Sequence, residues 1–312
     1  MIIYCRHPRG LAARAAGRRG AGPRRTRRAS KQIREADTDS QERLPAYHVK
    51  ARNTSSSSEN KIHDEQIARQ YGFRGALVPG VTVYAYLTHP LVEAFGAAWL
   101  ERGTASVRFV KPIHDGEEVR IAGAVTARNP KGLNATVTAT TAVGGECATL
   151  TATLPAGSPV PVNLALYPVA PLPADRPPAT RDHLAGLAAL GTPINPYDDA
   201  RAVEYLERVS DGLALYRGAR GWVHPGFFLD QANKALSLNV RMSPWIHAGS
   251  VIRHLGGARV GEILATRGRV RSLFEKKGRE FVEADLVLVA GERRPIAHVL
   301  HTAIYRLPPP VR

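Results

Sequence analysis

Histidine is the side chain best suited to carrying a proton near neutral pH, and His63 lies in a polar loop with several groups able to assist it. Around it stand Ser58, Glu59, Asn60, Asp64 and Glu65, which offer a hydroxyl, an amide and carboxylates for holding water or sharing a proton. The plainer reading of His63 is a loop histidine that caps a short helix or bonds to backbone. For Asp64 and Glu65, acidic residues in a helix's first turn already favour its dipole. Downstream, Gly80 follows Pro79 and opens an apolar segment. A buried helix starting there would aim unpaired backbone N–H groups at whatever the histidine loop holds. A second set of polar side chains, His224, Asp230 and Asn233, sits in HPGFFLDQANKAL, and His247 follows Trp245 and Ile246 in an apolar stretch. His247 reads most simply as a strand histidine with its bonds made, and alternatively as part of a pocket wall.

The elements that must position these groups follow from periodicity. A short amphipathic helix is expected over 64–71, a bend through Gly72, Gly75, Pro79 and Gly80, then a helix over 81–100 that is apolar nearly all round and therefore buried. Pro90 should kink or interrupt it. A strand over 47–53 precedes the loop. After Gly103, strands are expected over 105–110, 118–128, 134–143 and 146–154, separated by Asp115-Gly116, Asn129-Pro130-Lys131-Gly132 and Gly144-Gly145. This is an antiparallel meander. The same plan recurs later, with helices over 198–210 and 225–238 and strands over 245–255, 262–272, 280–289 and 296–306. Two units of like order and little identity point to a duplication. The division is therefore a tail over 1–43, a first unit over 44–155, a linker over 156–197 and a second unit over 198–312. Ten prolines between Pro155 and Pro196 mark the linker.

Composition narrows the function classes. Eleven of the net +16 charges come from ten arginines and Lys31 within residues 1–34, which contain no Asp or Glu. The basicity thus belongs mostly to a tail expected to be disordered, readable as a targeting or nucleic-acid arm or simply as a solvated extension. No binding motif accompanies those arginines, so no specific nucleic-acid partner is expected. Cys5 and Cys147 match no metal or redox spacing, and no segment has the length of a membrane span, so the expectation is a cytoplasmic protein. No phosphate loop, metal constellation or cofactor motif is present.

ENKIHDEQIARQYGF followed by GALVPGVTVYAYL resembles the MaoC-like (R)-specific enoyl-CoA hydratases and dehydratases. Their motif runs roughly Gly-Asp-x-Asn-Pro-(Ile/Leu)-His-x-Asp, then Ala, Gly-Phe and His-Gly ahead of a central helix. The resemblance is close over about 40 residues. FVKPIHDGEEVRIAG, similar to the family's strand entry after the helix, and the helix-then-meander order extend it to roughly 45–155. It implies an α+β double hotdog, each half a curved antiparallel sheet wrapped around a central helix, the halves pairing as two single-hotdog subunits would. Whether two such chains associate further is open.

The resemblance also implies acyl-thioester chemistry, with acyl-CoA or an acyl-carrier-protein thioester as partner and no cofactor. Residue by residue, His63 falls on the family's catalytic histidine, Asn60 on its asparagine and Gly80 on the glycine of His-Gly. Tyr84, one helical turn on, joins the substrate-binding candidates. Ser58 stands at the family's catalytic aspartate, Lys61 at its proline and Pro79 at its second histidine. The 63–72 segment is one residue short. HPGFFLDQANKAL resembles the central-helix start of hotdog thioesterases, whose catalytic aspartate falls where Asn233 stands, making His224 and Asn233 further substrate-binding candidates. Arg267, Arg269 and Arg271 on one strand face, with Lys276, Lys277 and Arg279 beyond, fit either coenzyme A phosphates or an acidic carrier, or else a solvated sheet face. The expected activity is hydration or dehydration of an enoyl or 3-hydroxyacyl thioester. A non-catalytic acyl-thioester or lipid-binding module and a thioesterase are the alternatives.

Overall fold

The structure, a computed structural model, describes residues 42–308. The arginine-rich tail to residue 41 and Cys5 lie outside the described residues. In chain order the elements are β1 (Tyr47–Lys50), α1 (Glu65–Gln70), α2 (Gly80–Phe95), α3 (Ala97–Arg102), β2 (Thr104–Phe109), β3 (Glu118–Asn129), β4 (Gly132–Thr141) and β5 (Gly145–Pro155). Then follow α4 (Arg181–Gly186), β6 (Ile194–Tyr197), α5 (Asp199–Val209), α6 (Pro225–Ser237), β7 (Ile246–His254), β8 (Glu262–Lys276), β9 (Arg279–Ala290) and β10 (Arg294–Arg306).

All ten strands form one antiparallel sheet in the order β1-β3-β4-β5-β2-β7-β10-β9-β8-β6. The order is a palindrome of the duplicated plan, with each half contributing five strands and the halves meeting where β2 pairs with β7. There Thr104 opposes Arg253 and Arg108 opposes Gly249. The long helices α2 and α6 lie against the sheet and against each other. Residues from Val81 through Val92 of α2 are all buried, as its apolar circumference requires. A single core runs through both halves, with Trp99, Tyr86, Leu87, Phe227 and Phe228 among its fully buried side chains.

The helix expected over 81–100 is two helices. α2 continues through Pro90 to Phe95, and Gly96, at φ +57°, turns the chain before α3. That left-handed conformation suits glycine, which has no Cβ to clash. The 156–197 stretch also carries more structure than a bare linker. Val162, Leu164 and Tyr167 seat on Val287 and Val289 of β9, and the stretch ends in α4 and the edge strand β6. Proline is tolerated at such an edge because half of the backbone groups there have no ladder to complete. No helix of the described residues is long and apolar enough to cross a membrane.

Candidate functional site

Three short signals place His63. Asp64 caps α1 by accepting from the Ile67 N–H at 3.0 Å. Asn60 caps the helical turn Lys61–His63 that precedes it. Ile62, buried with Ala68 and Leu77, anchors the turn from beneath. The His63 ring then lies with Nδ1 at 2.7 Å from the Leu77 carbonyl, so Nδ1 carries the proton and Nε2 keeps its lone pair. Asn60 Nδ2 approaches that Nε2 at 3.4 Å. Burial lowers the His63 pKa, opposed in part by the Leu77 carbonyl, so the ring is neutral at pH 7.

The loop is fastened to the other half of the molecule. Asn60 Oδ1 accepts from the Trp245 N–H at 3.0 Å, and Nδ2 donates to the Trp245 carbonyl at 3.0 Å. Ser243 adds two more bonds, accepting from the Lys61 N–H at 3.2 Å and donating to the Glu59 carbonyl at 2.9 Å. The amide of Asn60, expected to meet substrate, is thus largely committed to the backbone of the second half.

A narrow cleft of about 60 Å³ opens beside this loop. Asn60, His63, Gly80, Asn233, Trp245 and His247 are among the residues that line it. α2 begins here with Pro79 as its N-cap and no side-chain cap. The Gly80 and Val81 N–H groups have no hydrogen-bond partner among the described residues. Unpaired N–H groups and the positive end of a buried helix together favour an anion or a carbonyl oxygen. Asn233 Oδ1 is also buried without a partner.

No Asp or Glu is among the residues lining the cleft. Ser58 is not there either; it is half-buried, with its hydroxyl on the Asn60 carbonyl at 3.4 Å. The nearby carboxylates are otherwise engaged. Glu59 pairs with Arg176 at 2.8 Å, Asp64 caps α1, and Glu65 pairs with Arg69 at 2.7 Å. Tyr84 lies deeper in α2, wholly buried and outside the cleft lining, with its hydroxyl unpartnered among the described residues and burial raising its pKa.

His224 stands apart, at the start of α6. It is fully buried, accepts from the Gly226 N–H at 3.0 Å through Nδ1, and donates from Nε2 to Asp211 Oδ2 at 3.1 Å. His89 donates to the same Asp211 oxygen at 3.0 Å. Burial opposes ionisation of Asp211, but the hydrogen bonds from the two histidines outweigh it and hold the carboxyl far below its usual range. Tyr205 and Tyr216 flank the His224 ring at 5.5 and 4.6 Å. Asp230 pairs with Arg208 of α5 at 3.2 Å. The two histidines joined by Asp211 are distant in sequence, and no local pattern announces their grouping.

The basic face of β8 is largely neutralised. Arg269 and Arg271 pair with Asp285 and Glu283 of β9 at 3.2 and 3.0 Å, and Arg267 bonds to the Glu292 carbonyl at 2.6 Å. None of the three is among the residues lining the cleft.

No protein-family model matches the sequence, and no curated protein does. Solved structures match over most of the chain. A protein of Chloroflexus aurantiacus J-10-fl described as a MaoC domain dehydratase shares 11% identity, covers 86% of this chain and 96% of its own, and superposes with a TM-score of 0.60. A conserved protein of Mycobacterium tuberculosis, described as having a double hotdog fold and as essential for bacterial survival during infection, shares 14% identity over 84% of this chain and 96% of its own, with a TM-score of 0.56. A protein of Novosphingobium aromaticivorans described as a thioesterase shares 15% identity over 84% and 96% of the respective chains, with a TM-score of 0.50. The fold is the double hotdog, and its solved neighbours include MaoC-like dehydratases and thioesterases alike.

Proposed function

We propose that the chain binds an acyl thioester in the cleft at the start of α2 and adds water to, or removes it from, the C2–C3 bond of the acyl chain. One observation carries this reading: the neutral ring of His63 lines the same cleft as the uncapped start of a buried helix. In hydration, His63 Nε2 takes a proton from water as the hydroxyl joins C3, and the imidazolium then returns a proton to C2. Charge that develops on the thioester oxygen falls to the Gly80 and Val81 N–H groups and the helix dipole. The Leu77 carbonyl holds Nδ1–H throughout and so keeps Nε2 as the working atom. Asn60, braced by Trp245, holds the loop that bears the ring.

The absence of a carboxylate from the cleft lining supports a second reading, a binding module that keeps the thioester site without turnover. A thioesterase has weaker support, because Asn233 supplies an amide where a carboxylate base or nucleophile is required.

Crotonyl-CoA and the full chain separate these readings. Turnover followed by loss of the conjugated enoyl absorbance, reduced about a hundredfold or more in His63→Ala, is the expected result. Tight binding without turnover selects the module. Unchanged turnover in His63→Ala overturns the role of His63.

A further inference from the structure

We propose that His247, supplied by the half opposite His63, is a hydrogen-bond donor to the acyl carbonyl oxygen, with its tautomer set by Ser250 and His301. The inference rests on the thioester reading above and assigns an additional contact in the same cleft.

His247 lies on β7, lines the cleft and is only 6% exposed. Its ring is immobilised on two sides, edge-on to Phe109 at 4.8 Å and stacked on His301 at 4.3 Å. Nε2 is 2.8 Å from Ser250 Oγ, and that oxygen is 2.9 Å from His301 Nδ1. Nδ1 has no partner. A buried polar nitrogen held in place and left unbonded is costly unless something else completes it.

The helix start shows what that would be. A Cβ built on Gly80 would stand 2.9 Å from His247 Nδ1. The missing side chain at Gly80 therefore lets the first turn of α2 and this nitrogen approach closely, so that both border the same part of the cleft. The unpaired N–H groups of Gly80 and Val81 belong to that same turn. With Nδ1 protonated, backbone donors from one half and a ring donor from the other would converge on one oxygen.

Ser250 decides whether Nδ1 is protonated. Its single hydroxyl proton is given to one ring and its lone pair accepts from the other. If Ser250 donates to His247 Nε2, then His301 Nδ1–H donates to Ser250, and His247 carries its proton on Nδ1 as a donor. If the hydroxyl turns to His301, His247 Nε2–H donates and Nδ1 becomes an acceptor. Both arrangements are neutral, in keeping with burial, which lowers His301 to about 3 and His247 well below its usual value, the latter helped by His301 and opposed in part by the Gly249 backbone. A carbonyl oxygen in the cleft selects the first arrangement. Ser250 and His301 are thus positioning residues that touch no ligand.

The test compares butyryl-CoA with S-butyl-CoA, a thioether that lacks only the carbonyl oxygen, by calorimetric titration of the full chain. Wild type should prefer butyryl-CoA, and His247→Phe should lower butyryl-CoA affinity about tenfold while leaving the thioether unchanged. A measurement on wild type guards against a variant that does not fold: the ring 15N shifts of His247 and His301 should move together to the Nδ1-protonated pattern with butyryl-CoA and not with S-butyl-CoA. In Ser250→Ala the His301 response should disappear while that of His247 remains. Equal affinity of wild type for the two probes, or identical ring shifts with both, overturns the inference and leaves the thioester reading intact. Binding of neither probe overturns both.

Discussion

Asn60 and Trp245 face each other as a complementary pair, the side-chain amide of one reading both the N–H and the carbonyl of the other at 3.0 Å each. The contact joins the loop that carries His63 to the start of the strand that carries His247. Two rings that line the cleft from different halves therefore share one mechanical link.

Removing that link should be expensive. Asn60→Ala leaves the Trp245 N–H and carbonyl without their partner in a buried setting, and an orphaned group costs about 1–3 kcal/mol. Urea unfolding should show a loss of about 2–4 kcal/mol. A loss below about 0.5 kcal/mol in Asn60→Ala, the size of an ordinary surface substitution, would mean the pair is incidental.

Gly80 should be intolerant of even one carbon. The Cβ of Gly80→Ala would stand 2.9 Å from His247 Nδ1 and 3.0 Å from Phe109 Cε2, and the His247 ring is already braced by its neighbours. Overpacking of this kind costs about 1–3 kcal/mol. The added methyl would also occupy the approach to the first turn of α2, so crotonyl-CoA titration should show affinity down about tenfold. Gly75→Ala is the control, since its Cβ would meet only Glu65 Cγ at 3.9 Å. Equal affinities for the two variants would remove Gly80 from the site.

Stability should decline with acid through the buried histidines. His254 is completely buried between Trp99 and Phe228 with both nitrogens unpartnered among the described residues, and burial lowers its pKa to about 4. The unfolded ring titrates near 6.5. Above about 6.5 both states are neutral and its contribution is intact. Below that the unfolded chain takes up the proton first, so stability falls by about 1.4 kcal/mol per pH unit until the folded ring titrates as well. The loss from this one site is about 3 kcal/mol at pH 4. The lowered pKa values of His63, His247 and His301 act in the same direction. Thermal melts from pH 7 to pH 4 should be visibly flatter in His254→Leu, and parallel curves would refute the assignment.

The strands were legible in the sequence because alternation and glycine turns mark them independently of what they pair with. The expected strands over 118–128 and 262–272 match β3 and β8 apart from their ends. The apolar run after Gly80 was legible as buried helix, but periodicity does not register a single-residue break, so Gly96 was passed over. β6 was hidden by Pro193 and Pro196, whose extended backbone suits a linker and an edge strand equally well. At the site, the loop motif is local and points to His63, Asn60 and Gly80 together. His247 gave a fainter signal, since the two-residue strand period places it on the face of Trp245, but its unpartnered nitrogen lies beside Gly80, from a remote part of the chain. The grouping of His89, Asp211 and His224 has no sequence signature, because contacts between distant segments leave no periodicity to read.

The two helix starts are unequal. That of α2 is uncapped and faces the cleft, whereas that of α6 is stoppered by its own His224 side chain, tied to Asp211 and walled by Tyr205 and Tyr216. In a dimer of identical subunits every substitution is made twice, so the two mouths must evolve together. Covalent fusion releases that constraint and permits a division of labour: one half keeps the opening, and the other becomes its wall, contributing Asn233, Trp245 and His247. A change at the α6 start can then be selected for rigidity alone, without closing the door at α2.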